Sequence, residues 1–284
     1  MTGTLLDFSR HGEIAMHASI VAAIESAAKP LGITPLIAGA FARDLHLHFA
    51  LGIENQRVTE DIDIALTVPD WATFAALRQR LIASGMFREY PGVAHRLRHQ
   101  NGLPVDLVPF GSVETRERTI HWPPAGDEVM NVFGFREALA TAHDVLLPGG
   151  VLTKAVSLPA LALLKIVCWQ DRHYTSPRKD AQDLLLILRN YLRAGNEDRL
   201  WKEFAEWTQE DSFEYEFASA RMLGHDMRTL LDSSGIERVG NVISEQADLD
   251  APGLLPSEMV PNEPNRARAL LNEVLIGLTQ NWRR

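Results

Sequence analysis

Hydrophobic and polar residues alternate most clearly over residues 59–64, which read Thr-Glu-Asp-Ile-Asp-Ile. Alternation with a period of two predicts a strand with one buried face. Residues two apart share a face of a strand, so Asp61 and Asp63 are expected side by side, roughly 7 Å apart along the backbone. Ile62 and Ile64 are expected to point into the core.

The stretch before this strand predicts a strand, a turn and a helix. An apolar run at 36–38 ends at Gly39, and a helical pattern follows over 41–51. A glycine at the turn lets the backbone approach a ligand, and a helix start offers unpaired N–H groups to a phosphate. Many α/β proteins contain such a turn, so the pattern alone does not establish a phosphate site.

A third acidic residue, Asp106, stands inside the apolar run 103–108. A carboxylate is costly to bury unless it is paired or bound to a metal. Three carboxylates on two neighbouring strands can hold two cations about 4 Å apart, the arrangement that catalyses phosphoryl displacement. Asp61, Asp63 and Asp106 are therefore predicted ligands of Mg²⁺, which prefers hard oxygen donors. The alternative for Asp61 and Asp63 is an acidic edge strand in solvent.

The segment 78–98 is rich in arginine. A helix is predicted over 71–82, and a strand over 94–98 would place Arg96 and Arg98 on one face. This face is the best candidate in the sequence for a surface that meets phosphate or RNA. A solvated basic strand is the alternative.

In the second half, the nearly all-apolar pattern over 160–172 predicts a buried helix with Lys165 in its middle. Lys165 either extends to water along its aliphatic stem or reaches a nucleotide phosphate. The next predicted helix, 177–192, carries Asp180 and Asp183 one turn apart on one face. Favourable placement of acids near a helix N-terminus is the non-functional explanation for Asp180.

Elsewhere the pattern is mainly helical. Helices are predicted at 11–30, 135–142, 198–208, 212–232, 235–246 and 263–282. Two strands are predicted around the turn at 148–150, and irregular structure at 115–130 and 248–264.

Composition narrows the class of protein. The 284 residues are 46% hydrophobic and 23% charged, as in ordinary globular proteins of one or two domains. The net charge of −9 means that a nucleic-acid partner would need a local basic surface. A single cysteine, Cys168, excludes a disulfide framework and a cysteine zinc site within one chain. Neither a signal peptide nor a membrane span is evident in the sequence, so a cytoplasmic protein without membrane contact is expected.

Three groups of residues resemble the motifs of a known superfamily. They are Gly39-Ala40 with Arg43-Asp44, Thr59-x-Asp61-Ile62-Asp63, and Val105-Asp106-Leu107. Together they resemble the polymerase-β-type nucleotidyltransferases. Within that superfamily, Ala42-Arg43-Asp44-Leu45 and Arg57-x-Thr59-x-Asp61-Ile62-Asp63 resemble the AbiEii-type nucleotidyltransferases, a family rich in toxins of toxin–antitoxin systems.

Residues of the second half resemble later motifs of the same family. They are Leu164-Lys165, Asp171-Arg172 and Arg178-Lys179-Asp180-x-x-Asp183-Leu184. The resemblance covers roughly residues 35–110 and 158–188, under half the chain. The family usually has Gly-Gly or Gly-Ser where this chain has Gly39-Ala40, and Ala40 offers no hydroxyl to a triphosphate.

The resemblance implies an α+β fold, with a polymerase-β-like nucleotidyltransferase core on a mixed sheet and a mainly helical C-terminal region. The core is expected over 1–155, and a helical domain that completes the nucleotide site over 156–284.

The implied activity is metal-dependent transfer of a nucleoside monophosphate from an NTP to an acceptor, with release of pyrophosphate. The implied catalytic residues are Asp61, Asp63, Asp106 and Lys165. The implied nucleotide-binding residues are Gly39, Ala40, Arg43, Thr59, Lys165, Asp180 and Asp183. Mg²⁺ or Mn²⁺ is the expected cofactor.

The resemblance also suggests partners. RNA, tRNA ends in particular, is the suggested acceptor, and a cognate antitoxin is the suggested protein partner of a toxin-like enzyme. Two alternatives stay open: a transferase acting on a small molecule of the aminoglycoside type, and a non-catalytic NTP-binding regulatory protein.

Overall fold

The computed structural model describes residues 5–54, 61–175, 178–250 and 253–280. The chain divides into two compact units, Met1–Ser157 and Leu158–Arg284. The predicted boundary lies between residues 155 and 156. The predicted architecture, a mixed sheet followed by a mainly helical region, is confirmed.

The first unit is built on an eight-stranded mixed sheet with the strand order β1-β9-β10-β2-β3-β6-β5-β4. Its strands are β1 Leu5–Asp7, β2 Pro35–Ala38, β3 Ile62–Val68, β4 Phe87–Glu89, β5 Arg96–His99, β6 Pro104–Gly111, β9 His143–Leu147 and β10 Val151–Ala155. Two further strands, β7 Thr119–His121 and β8 Val129–Asn131, form a separate antiparallel pair. Strand β3 is antiparallel to β2 and parallel to β6, and β6 is antiparallel to β5.

The helices of the first unit are α1 Ala15–Ala28, α2 Gly39–Asp44, α3 Trp71–Ala83 and α4 Phe135–Ala140. Helix α2 continues as a π-helical segment, Leu45–Phe49. Asp70 caps α3, because its carboxylate accepts a hydrogen bond from the Thr73 backbone N–H at 2.7 Å.

The centre of the sheet is the core of this unit. All residues of β2 are buried, and Ile62 and Ile64 of β3 have no exposed surface. The predicted inward orientation of these isoleucines is therefore confirmed. Strand β3 continues to Val68, beyond the predicted end at residue 64.

Two predictions of irregular structure are wrong in part. Segment 115–130 contains β7 and the start of β8, and segment 248–264 contains a short helix, Leu254–Met259. Three-residue strands are too short to show a period of two, and a six-residue helix beside Pro and Gly shows no period of 3.6. The short strand β1 is missed for the same reason.

The second unit consists of helices within the described residues. They are α5 Leu158–Arg172, α6 Lys179–Asn190, α7 Glu197–Glu203, α8 Tyr215–Leu230, α9 Ser233–Ala247, α10 Leu254–Met259 and α11 Pro264–Thr279. Helices α8 and α11 pack backbone to backbone. A Cβ at Gly224 would lie 2.2 Å from the Val274 carbonyl oxygen, and one at Gly277 would lie 2.0 Å from that of Arg221. Among the described residues, no helix is both long and apolar enough to cross a membrane.

Candidate active site

Asp63 and Asp106 stand next to each other on neighbouring parallel strands. The register of β3 and β6 pairs Asp63 directly with Asp106, and paired residues point to the same face of the sheet. Asp106 is only 7% exposed. Adjacent strands lie about 4.8 Å apart, so the pairing of the strands places these two residues close together.

The third predicted acid joins this pair through an arginine. Asp61 precedes β3 by one residue. The guanidinium of Arg96 donates from Nε to Asp106 Oδ1 at 2.6 Å and from Nη2 to Asp106 Oδ2 at 2.7 Å. The same Nη2 donates to Asp61 Oδ2 at 3.3 Å. One cation thus bridges Asp61 and Asp106.

This contact corrects the interpretation of the basic strand. Arg96 and Arg98 were predicted to face phosphate or RNA together, but Arg96 is paired with Asp106 across β5 and β6 and faces the acids. Its hydrogen bonds to Asp106 raise the pKa of Arg96 above its usual value. Arg98 makes no such contact with the acids in the described hydrogen bonds and ion pairs; its guanidinium carbon lies 5.0 Å from the centroid of the Tyr90 ring, which Arg96 also approaches, at 5.6 Å. Only Arg98 still fits the original interpretation.

Sequence reasoning assigned no role to His95, which the structure brings to the same acids. Its Nε2 lies 4.0 Å from Asp106 Oδ2, and its ring centroid lies 5.8 Å from that of Trp122. Burial lowers the pKa of His95, and the charge of Asp106 acts in the opposite direction. Its position one residue before Arg96 was the available signal, because β5 runs beside the strand that carries Asp106.

Gly39 is fixed by its contact with Asp63. Its φ is +60°, in the left-handed region that favours glycine. A Cβ at this position would lie 1.7 Å from Asp63 Oδ2. The β2–α2 turn therefore packs its backbone against the Asp63 carboxylate, since Ala38 and Asp63 are register partners.

The other predicted nucleotide contacts of this unit have different surroundings. Ala40 is buried, and Arg43 is fully buried with an ion pair of 2.7 Å to Asp44. Contact of Arg43 with a phosphate stays a prediction, and it requires the side chain to leave this buried position. Thr59 lies outside the described residues.

The second unit holds a separate buried ionic cluster on helices α5 and α6. Lys165 Nζ lies 3.0 Å from Asp180 Oδ1 and 2.6 Å from Asp183 Oδ2. Arg172 adds hydrogen bonds to both oxygens of Asp180, at 2.8 and 2.9 Å. Lys165 is only 4% exposed, so it does not extend to water. Its contact with a nucleotide phosphate stays a prediction.

Charge pairing dominates the titration of this cluster. Burial alone would raise the pKa of Asp180, but Lys165 and Arg172 lower it to about 2. Burial alone would likewise lower the pKa of Lys165, but Asp183 and Asp180 raise it above its usual value. Each charged form is stabilised by its partners, and the cluster acts as one unit.

The donor chemistry of the first unit suits a hard divalent cation, because Asp63 and Asp106 are register partners beside a glycine turn and Arg96 links Asp106 to Asp61. As the side chains stand, however, no group of three or more His, Cys, Asp or Glu residues in the described part of the chain is arranged to hold a metal ion. The guanidinium of Arg96 lies between Asp61 and Asp106. The carboxylates fit a metal only if this guanidinium withdraws.

Comparison with known proteins identifies the family. The profile of the family described as "Nucleotidyl transferase AbiEii toxin, Type IV TA system" matches residues 36–263, well over half the chain. The chain belongs to this family. The resemblance found in the motifs is thereby confirmed, and the match extends it through most of the second unit. No curated protein matches the sequence.

Several solved structures resemble this chain at low sequence identity. The crystal structure of ANT(2'')-Ia in complex with adenylyl-2''-tobramycin is 17% identical, with a TM-score of 0.39 over 68% of this chain and 99% of that one. A nucleotidyltransferase-like protein from Paracoccidioides brasiliensis gives the same identity and TM-score over 68% of this chain and 90% of its own. The Thermotoga maritima CCA-adding enzyme, complexed with tRNA, is 15% identical with a TM-score of 0.23, over 95% and 80%.

Proposed function

We propose that this AbiEii-family protein is a metal-dependent nucleotidyltransferase that moves a nucleoside monophosphate from an NTP to an acceptor hydroxyl. The observation that carries the proposal is the register of Asp63 with Asp106, next to Asp61 and the Gly39 turn. All three acids are present, and Asp63 and Asp106 are register partners, which favours an enzyme over a non-catalytic NTP-binding protein.

The chain's own residues have separate roles in this reaction. Asp61 and Asp63 would hold Mg²⁺ or Mn²⁺ together with the triphosphate, and Asp106 would complete the carboxylate set. When bound, the divalent cations neutralise the phosphate oxygens and favour in-line displacement. Asp106 accepts the proton of the attacking hydroxyl. The new bond joins the hydroxyl oxygen to the α-phosphorus, and the bond from that phosphorus to the β-phosphate oxygen breaks to release pyrophosphate.

The acceptor is proposed from charge. Arg88 and Arg98 are direct partners across β4 and β5, and like charges directly opposite each other destabilise a strand pair unless an anion lies between them. Register partners and residues two apart share a face, so Arg98 lies on the same face as Arg96 and Asp106. An arginine pair beside the acids fits the phosphate backbone of RNA, such as a tRNA end.

The alternative acceptor is a small molecule of the aminoglycoside type. Such molecules are polycations, and an arginine pair beside the acids repels them. This charge argument favours RNA. The proposal also includes a toxin-like role, a cognate antitoxin as partner, and action in the cytoplasm, where NTPs and tRNA are found. Lys165, Asp180 and Asp183 are proposed to contribute to nucleotide binding.

The test is transfer of label from each of the four NTPs, in Mg²⁺, to total RNA. Loss of an outer-shell contact to a metal lowers metal affinity or activity by roughly 10- to 100-fold. Asp63→Asn and Asp106→Asn each change a proposed direct ligand, so each should reduce transfer by more than this. The melting temperature of Asp63→Asn should not fall, since the substitution removes a charge from a crowded acidic site. That of Asp106→Asn should fall, because the variant loses its charged pair with Arg96. Asp144→Asn, in β9 of the same sheet, is the matched control and should keep its activity.

Two results would contradict the proposal. Full transfer by Asp63→Asn would show that the carboxylate does not bind the cation. No transfer from any NTP by the wild-type protein to RNA, protein or aminoglycosides would leave the non-catalytic alternative.

A further inference from the structure

Arg96 is held in place more firmly than a surface arginine. Its guanidinium makes a bidentate pair with Asp106 and a third contact with Asp61. Bidentate arginine–carboxylate pairs with short distances are among the strongest hydrogen bonds in proteins. The backbone fixes this partner, because Arg96 and Asp106 are directly opposite in β5 and β6.

The position of this guanidinium conflicts with the proposed cation site. Asp61, Asp63 and Asp106 together carry three negative charges, and Arg96 supplies one positive charge among them. A divalent cation would bind Asp106 oxygens at about 2.1 Å. Arg96 already holds both of these oxygens, at 2.6 and 2.7 Å. A cation and this guanidinium therefore compete for the same carboxylate.

Besides the acids, Arg96 contacts the ring of Tyr90 in the same position. The ring of Tyr90 lies under both arginines of β5, with its centroid 5.6 Å from the Arg96 guanidinium carbon and 5.0 Å from that of Arg98. An aromatic face attracts a guanidinium. Arg96 is also partly exposed, at 25% of its side chain, so rotation away from Asp106 needs no opening of the core.

We propose that Arg96 is a positioning residue that holds the acids together before a divalent cation binds, and that the cation displaces it. The inference rests on the proposed function, because it takes Asp61, Asp63 and Asp106 as the cation ligands. In the cation-bound state, Arg96 no longer bridges Asp61 and Asp106.

The test is Mn²⁺ affinity, measured by electron paramagnetic resonance of free Mn²⁺ in a titration without nucleotide. Arg96→Met removes the competing charge and keeps much of the aliphatic stem, so the variant should bind Mn²⁺ about tenfold more tightly than wild type. Arg98→Met, two residues along on the same face and over the same ring, is the matched control and should change the affinity by less than about twofold. Affinity that is unchanged or weaker in Arg96→Met overturns the inference.

A second measurement needs no substitution that could impair folding. The Arg96 side-chain Nε–H of the wild-type protein, assigned by nuclear magnetic resonance, should exchange slowly in EDTA because Asp106 accepts its hydrogen bond. Saturating Mg²⁺ should make this exchange faster, and unchanged exchange in Mg²⁺ overturns the inference. A wild-type protein that transfers nucleotides but shows no competition by Arg96 leaves the proposed function intact. A protein that binds no Mn²⁺ and transfers nothing overturns both.

Discussion

Gly39 is the residue whose replacement most directly tests the geometry of the acids. Gly39→Ala places a Cβ 1.7 Å from Asp63 Oδ2, at a backbone φ of +60°. The φ alone costs an alanine about 1–2 kcal/mol. The clash adds to this cost and pushes Asp63 away from Asp106, so we expect a larger loss of unfolding free energy together with weaker Mn²⁺ binding. Urea unfolding and the Mn²⁺ titration measure the two effects.

Gly32→Ala is the matched control for this prediction. Gly32 has a similar φ of +67°, and a Cβ there would meet nothing within 4 Å. The unfolding free energy of Gly32→Ala should fall only by the cost of the backbone conformation, and the Mn²⁺ affinity of this variant should stay at the wild-type value. An equal loss of stability in both variants would show that the contact between Gly39 and Asp63 has no consequence.

At the scale of helices, the buried ionic cluster on α5 and α6 predicts that removing the charge of Lys165 strongly lowers the unfolding free energy. Lys165→Met leaves the Asp180 and Asp183 carboxylates buried without their lysine. Removing one partner of a buried ion pair typically costs about 3–5 kcal/mol. We therefore expect a clear fall in unfolding free energy, contrary to the expectation for a lysine that only contacts a ligand. Lys154→Met, which breaks the half-exposed pair with Asp144, should cost under about 1 kcal/mol.

The pH dependence of stability tests whether the buried ion pairs of Lys165 cause the expected fall in unfolding free energy. The pKa of Asp180 is lowered to about 2 from 3.8, so its contribution is fully present above pH 4 and is lost as the pH falls towards 2. This contribution is about 2 kcal/mol in the wild-type protein. In Lys165→Met, Arg172 alone opposes the effect of burial on the pKa of Asp180, so this pKa should be higher than in the wild type. The variant's stability should therefore begin to fall at a higher pH. The same pH profile in both proteins would refute the assigned role of Lys165.

The same scale shows which parts of the fold the sequence could predict. Alternation at 61–64 and the apolar run around Asp106 were enough to place both strands and to orient Ile62 and Ile64, because burial on one face imposes a period of two. The partner of Arg96 could not be predicted. Its face on β5 was visible in the sequence, but the neighbouring strand decides what that face meets, and strand order depends on contacts distant in sequence. The pairing of Lys165 with Asp180 and Asp183 depends on helix packing for the same reason.

At the scale of the whole molecule, a net charge of −9 opposes binding of RNA. Binding must then depend on local charge, which for β4 and β5 means Arg88 and Arg98, since Arg96 is paired with the acids. Charge close to the bound strand is screened less than charge more than a Debye length away, about 8–10 Å at ordinary salt. A local arginine pair can therefore act against the overall repulsion.

The double variant Arg88→Ala, Arg98→Ala should weaken RNA binding to a similar degree for all sequences, because phosphate contacts carry no sequence information. Loss of two phosphate contacts should reduce the slope of log affinity against log salt by roughly 1.5. Pyrophosphate exchange with NTP alone should survive, since neither arginine is assigned to the NTP. The double variant Arg10→Ala, Arg116→Ala removes the same net charge from two exposed positions and should keep the wild-type slope. Transfer measured at two salt concentrations decides the acceptor: if neither salt nor Arg88 and Arg98 affects it, the acceptor is not RNA, and a small uncharged or cationic molecule takes its place.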